Sequence, residues 1–225
     1  MGSDDLFKKR KASQLKRKAP KREAYDKVLI VCEGEKTEPF YIEELRDFLK
    51  LSQANIRVSP DSDSSPDKVV EYAKKLIKSE KDDPYNHVFC VMDRDRHPTF
   101  DKAIAQIDGF SSKHTELHAI VSVPCFEYWI LMHFVLSTKP WGASGESPCK
   151  ELIKEELKKY ISDYEKGNAQ ILRDLVAYQL DIAVVNSKKT MKSAVRTDTY
   201  NPSTMMYQLV EYLKELKASV ENEKK

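Results

Sequence analysis

Five residues, Val28-Leu29-Ile30-Val31-Cys32, constrain the fold more than any other feature of the chain. The run is short, unbroken, apolar and rich in β-branched side chains. A strand with one face in water alternates apolar and polar residues; this one offers no polar face, so it belongs in a parallel sheet covered on both sides. It stops at Glu33-Gly34, and a helix follows. Pro39 suits the first turn, and Tyr41, Leu45, Phe48 and Leu49 recur on one face.

The same unit repeats downstream. Residues 55–59 make a weaker strand, and Pro66 opens an amphipathic helix through Val69, Val70, Ala73, Leu76 and Ile77. Residues 87–92 form a third strand that ends abruptly in Asp93-Arg94-Asp95. A helix near residues 100–107 leads to a fourth strand at 118–123. Strands alternating with helices predict a mainly parallel sheet flanked by helices, with right-handed crossovers.

From Pro124 the character changes. Residues 126–136 are apolar nearly all round apart from Glu127 and His133, which predicts a buried helix. A Pro/Gly/Ser stretch at 139–148 breaks the chain, and helical patterns follow at 150–161, 169–185 and 202–216. The resulting division is a basic arm at 1–27, an α/β core at 28–138 and a C-terminal helical extension at 139–225 packed on that core.

The arm is defined by charge. Its 27 residues hold ten Lys/Arg and four Asp/Glu, so the rest of the chain carries 28 basic against 32 acidic groups although the whole is +2. With almost no apolar periodicity, the arm is read either as a solvated segment or as an electrostatic arm adding sequence-independent affinity for a polyphosphate backbone. Cys32, Cys90, Cys125 and Cys149 form no C-x-x-C pair and read as small buried apolar residues. The longest apolar stretch is too short to span a bilayer, so a cytoplasmic protein without membrane contact is expected. No phosphate-binding G-x-x-x-x-G-K-[ST] loop is present, which assigns any ATP hydrolysis to a separate ATPase partner.

In an open parallel sheet, sites form beyond the carboxyl ends of the strands, where the strand order reverses. Glu33 closes one of the best strands here, and Asp93-x-Asp95 closes another 60 residues later. Carboxylates gathered at one rim repel unless a cation or a proton lies among them. Mg²⁺, with Mn²⁺ as a substitute, takes oxygen ligands and suits such a set. Glu33 serves there as general base or acid, or as a further ligand. Asp-x-Asp after a strand also occurs in haloacid-dehalogenase-like phosphatases and nucleotide-sugar transferases; the former place their nucleophile after the first strand, where this chain has Glu33.

The segment Val-Leu-Ile-Val-Cys-Glu-Gly-Glu-Lys-Thr-Glu-Pro (28–39), the strand ending in Asp93-Arg94-Asp95, the Pro-Cys-Phe-Glu-Tyr-Trp-Ile-Leu segment (124–131) with His133-Phe134, and Asn-Pro-Ser-Thr (201–204) together resemble the RloB family. The resemblance implies a Toprim-like (Rossmann-like) fold, a metal-binding core shared with topoisomerases, primases and OLD-type nucleases. It further implies a bacterial or archaeal protein of restriction or antiphage defence. On it, Glu33 takes the place of the Toprim glutamate, Asp93 and Asp95 that of the Asp-x-Asp pair, and Glu127 becomes an additional ligand. Val123 departs from the Asn expected before Pro124.

Glu127 has a physical reading of its own. Its helical neighbours Ile130, Leu131 and Phe134 are apolar, so its carboxylate either meets a partner in a polar pocket or sits at a helix start favoured by the dipole. His133 reads as a hydrogen-bonded core histidine, His97 as a loop residue, and Lys188, Lys189, Lys192 and Arg196 as a solvated helix end. The functional expectation is metal-dependent phosphodiester hydrolysis of nucleic acid, DNA or RNA. The alternative is a non-catalytic nucleic-acid- or partner-binding subunit with a structural acidic site.

Overall fold

The computed structural model describes residues 25–60, 65–95 and 97–223. Strand β1 (Val28–Cys32) leads into α1 (Thr37–Phe48), β2 (Ile56–Pro60) into α2 (Pro66–Ser79), β3 (His87–Asp93) into α3 (Phe100–Asp108), and β4 (Glu116–Val123) into α4 (Glu127–Met132). After α4 come α5 (Pro148–Leu152), a π-helical turn (Ile153–Leu157), α6 (Lys158–Tyr160), α7 (Ala169–Thr197), β5 (Ser203–Thr204) and α8 (Met206–Glu223).

The sheet order is β2-β1-β3-β4-β5, with the first four strands parallel and β5 antiparallel to β4. All five residues of β1 are fully buried, as an unbroken apolar strand at the centre of a parallel sheet should be. Alternate residues serve opposite layers. Val28, Ile30, Cys32, Phe89 and Val91 face a layer built from α1, α4 and the C-terminal helices. Leu29, Val31, Val88, Cys90 and Met92 face α2 and α3. This is a mixed α/β architecture: a mostly parallel five-stranded sheet flanked by helices, with a C-terminal helical segment. That segment shares the core of the first layer through Leu172, Leu175, Leu209 and Leu213.

Four details differ from the sequence reading. The buried helix shortens to Glu127–Met132, because the N–H groups of His133 and Phe134 bond three residues back and tighten the last turn. Helix α7 runs on to Thr197: beyond Val184 its buried face carries Ser187, Thr190 and Ala194, small residues that a search for large apolar side chains passes over. The 202–216 pattern divides into β5 and α8. Cys125 and Cys149 are joined in a disulfide, because α5 folds back against α4, whereas Cys32 and Cys90 are buried free thiols.

Residues 1–24 of the basic arm lie outside the described residues, but its last three, 25–27, belong to the folded body. The Tyr25 hydroxyl accepts from Ser52 N–H at 2.6 Å, and Lys27 Nζ donates to Glu80 at 2.9 Å and to the Asp83 carbonyl at 2.7 Å. Among the described residues, no helix is long and apolar enough to cross a membrane.

Candidate metal centre

The chain passes from β1 outward to β2 and then returns to the other side of β1 for β3, so the strand order reverses between β1 and β3. Glu33 follows β1 at this switch point, and Asp93 is the last residue of β3. The two are locked in register: Glu33 N–H donates to Val91 O at 3.1 Å, and Asp93 N–H donates to Glu33 Oε2 at 3.0 Å. One carboxylate therefore already accepts a hydrogen bond from the backbone that carries the other.

Two further carboxylates join them. Glu38 sits in the first turn of α1, five residues beyond Glu33. Its carboxylate folds back onto the β1–α1 turn so closely that a Cβ on Gly34 would lie 2.1 Å from Glu38 Oε2. A larger residue there would push the Glu38 carboxylate out of this position. Glu127, in the first turn of α4, is 1% exposed. Both readings of it hold, since it begins a helix and has partners: Lys166 Nζ at 2.9 Å and the Tyr164 hydroxyl, which donates to it at 3.3 Å.

Lys166 reaches the site because of the residue after it. Gly167 has φ +79, and a Cβ there would lie 2.8 Å from Lys36 Cβ, so the loop before α7 approaches the β1–α1 turn backbone to backbone. Asn168 then caps α7, its side chain accepting from Ile171 N–H at 3.3 Å.

The electrostatics follow from this crowding. Burial pushes the Asp93 carboxyl well above the ordinary range, the charges of Glu38, Glu127 and Glu33 push it further, and Lys166 opposes them. Glu38 rises to about 7, first through burial and then through Glu127 and Glu33; its helix-start N–H and Lys166 pull the other way. Burial works against the Lys166 cation, but Glu127, Asp93 and Glu38 together raise its pKa. Four acids thus share one ammonium, and the excess negative charge is what a hard divalent cation with oxygen preferences would neutralise.

Asp95 stands apart from this set. It is exposed, and its Oδ1 accepts from His97 N–H at 3.0 Å, closing its own turn. With Arg94 it lines a neighbouring cleft of about 640 Å³, bounded also by Pro124, Trp141, Tyr200 and Asn201. No three of the carboxylates of Glu33, Glu38, Asp93 and Glu127 bring oxygens within 4.8 Å of one another. Among the described residues, the groups whose donor atoms lie within 4.8 Å of one another are His87–Glu116–His118 and Cys125–Glu127–Cys149, and the second has its sulfurs tied up in the disulfide.

Sequence reasoning placed Glu33, Asp93 and Glu127 at this rim and overlooked Glu38 and Lys166. Glu38 had a legible signal, a carboxylate one residue before the helix-opening Pro39. Lys166 had none, since a lysine in a polar loop looks like any other.

These features define a class: a parallel α/β protein with a carboxylate cluster, partly neutralised by one lysine, at the switch point of its sheet. The model of the RloB-like protein family matches residues 28–213, and the chain belongs to that family. No curated protein and no solved structure matches it.

Proposed function

We propose that the chain is a Toprim-like, metal-dependent nuclease that hydrolyses phosphodiester bonds of nucleic acid in bacterial or archaeal antiphage defence, acting in the cytoplasm. The observation that carries this reading is the gathering of Glu33, Glu38, Asp93 and Glu127 at one switch point with Lys166 beside them. Glu33, Asp93 and Glu38 are the residues that would hold Mg²⁺ or Mn²⁺, with Asp95 at the cleft mouth and Glu127 behind them, paired to Lys166. A divalent cation bound there supplies Lewis-acid polarisation of a phosphoryl oxygen and a lowered pKa for water.

The chain's own groups do the rest. Glu33, fixed by the Asp93 N–H, holds one carboxylate oxygen in place and is the candidate proton acceptor. Glu38, with a pKa of about 7, can hold or release a proton near neutrality. Arg94 brings positive charge to the adjacent cleft, whose volume suits a nucleotide-sized group.

Asp93→Asn and Glu33→Gln are expected to lower Mg²⁺- or Mn²⁺-dependent cleavage at least 100-fold with the circular dichroism spectrum unchanged. Asp93→Asn should also raise the melting temperature in chelator, because it removes a carboxyl that burial and the neighbouring Glu38, Glu127 and Glu33 make costly to ionise. Undiminished cleavage in both variants would remove the proposal. The Lys166–Glu127 pair favours a second reading, a binding subunit in which one of the acids is already held in a structural ion pair. It predicts salt-sensitive nucleic-acid binding with no turnover across divalent metals.

A further inference from the structure

The opposite rim of the sheet carries a second constellation. His87 opens β3 and Glu116 opens β4, and the two are register partners; His118 follows Glu116 by two residues and therefore points to the same face. His87 Nδ1 lies 3.1 Å from His118 Nε2, and each of these nitrogens lies 3.6 Å from Glu116 Oε2. Three ligands about 2.0–2.2 Å from a tetrahedral ion stand roughly 3.3 Å apart, so this triangle is close to one face of such a tetrahedron.

The surroundings match what metal-binding imidazoles require. The remaining nitrogen of His87, Nε2, faces Asp26 Oδ2 at 3.7 Å, and Asp26 in turn accepts from the Tyr212 hydroxyl at 3.3 Å. A carboxylate behind the far nitrogen selects the tautomer that leaves Nδ1 bare. Both rings are held by aromatic packing: Phe89 stacks on His118 at 4.8 Å between centroids, and Tyr212 lies 5.0 Å from His87. Glu116 is exposed, which leaves a side open for a fourth ligand from solvent.

We propose that His87, His118 and Glu116 form a binding site for a first-row transition-metal dication of the Zn²⁺ class, distinct from the carboxylate cluster. Two imidazoles and a carboxylate are borderline donors that favour Zn²⁺ over Mg²⁺. In its absence the two facing nitrogens share one proton in an N–H···N bond. The ion replaces that proton after a small rotation of the rings, the displaced proton moving to the far nitrogen of the ring that carried it, so that both ligands stay neutral imidazoles. The seven residues of β3 separate this rim from Asp93 by roughly 20 Å. The ion would therefore fasten the starts of β3 and β4 rather than take part in chemistry at the other end.

The test is calorimetric titration of the chelator-stripped, non-reduced full chain with Zn²⁺ alone, alongside melting curves with and without it. Expected are one tight Zn²⁺ per chain assigned to this site and a Zn²⁺-dependent rise in melting temperature. Both should persist in Asp93→Asn, while affinity falls at least tenfold in His118→Ala and in His87→Ala. Should the histidine variants fold poorly, Glu116→Gln, at an exposed position, is expected to show a loss of the same sense. Affinity unchanged across His118→Ala and Glu116→Gln, or lost in Asp93→Asn instead, would overturn the assignment. Failure of the nuclease reading would leave this result untouched.

Discussion

His133 lies wholly inside the core. Its Nδ1–H donates to Trp129 O at 3.0 Å, leaving Nε2 to accept from the Tyr41 hydroxyl at 2.9 Å. Burial drives its pKa from 6.5 down to about 4, against the pull of the Trp129 and Ile130 carbonyls. The unfolded chain takes up this proton near pH 6.5 and the folded chain not until about pH 4. Stability is therefore full above pH 6.5 and is lost as pH falls toward 4, by on the order of 3 kcal/mol. His133→Gln keeps polar atoms without titrating, and urea unfolding at pH 7 and pH 5 should show a smaller loss in the variant; equal losses would refute the argument. Lys166 makes a second case. Glu127 is 1% exposed, but the Lys166 side chain is 59% exposed, so solvent screens the pair. Lys166→Met should cost about 1–2 kcal/mol rather than the 3–5 of a fully buried pair. Added Mg²⁺ should then raise the variant's melting temperature more than the wild type's, since Glu127, Asp93 and Glu38 have lost the charge of Lys166; an equal rise would count against a shared site.

Helix α7 lies across α1, the helix whose first turn presents Glu38, and two kinds of contact join them. Arg173 makes a two-pronged ion pair with Glu44, at 3.0 and 2.9 Å, on the exposed surface. Leu175, two residues on, is buried in the core the helices share. Exposed pairs contribute under about 1 kcal/mol, whereas truncating a buried leucine costs about 2–5 kcal/mol. Packing therefore decides the docking: Leu175→Ala should lower the chemical-denaturation midpoint several times as far as Arg173→Ala, and the reverse order would show that the ion pair positions α1. The strands and the helices up to Phe100–Asp108 were legible from periodicity, because each shows a full apolar face to its layer. The second half of α7 and the two-residue β5 were not. The former packs through small residues, and the latter exists only because β4 offers it an edge, with Ser122 Oγ and Thr204 Oγ1 2.9 Å apart across the pair.

For the molecule as a whole, charge and architecture separate cleanly. Residues 1–24 hold nine Lys/Arg and three Asp/Glu, ahead of a body that is net acidic. If the arm supplies phosphate contacts, deleting residues 1–24 should leave the melting temperature within a degree or two and flatten the dependence of log K on log salt for nucleic-acid binding. An unaltered slope would exclude the arm from binding.

The sequence by itself determined that the sheet is mainly parallel and that acids end β1 and β3, because an unbroken apolar strand cannot face water and the carboxyl ends of parallel strands share a rim. Only the tertiary structure decided which charges meet there. Glu38 arrives by folding back over Gly34, Lys166 arrives across the turn at Gly167, and Asp95 turns away to bond its own loop. The first and last are choices of side-chain direction within a turn, and the second joins residues about 130 positions apart; no local pattern of apolar residues encodes either kind.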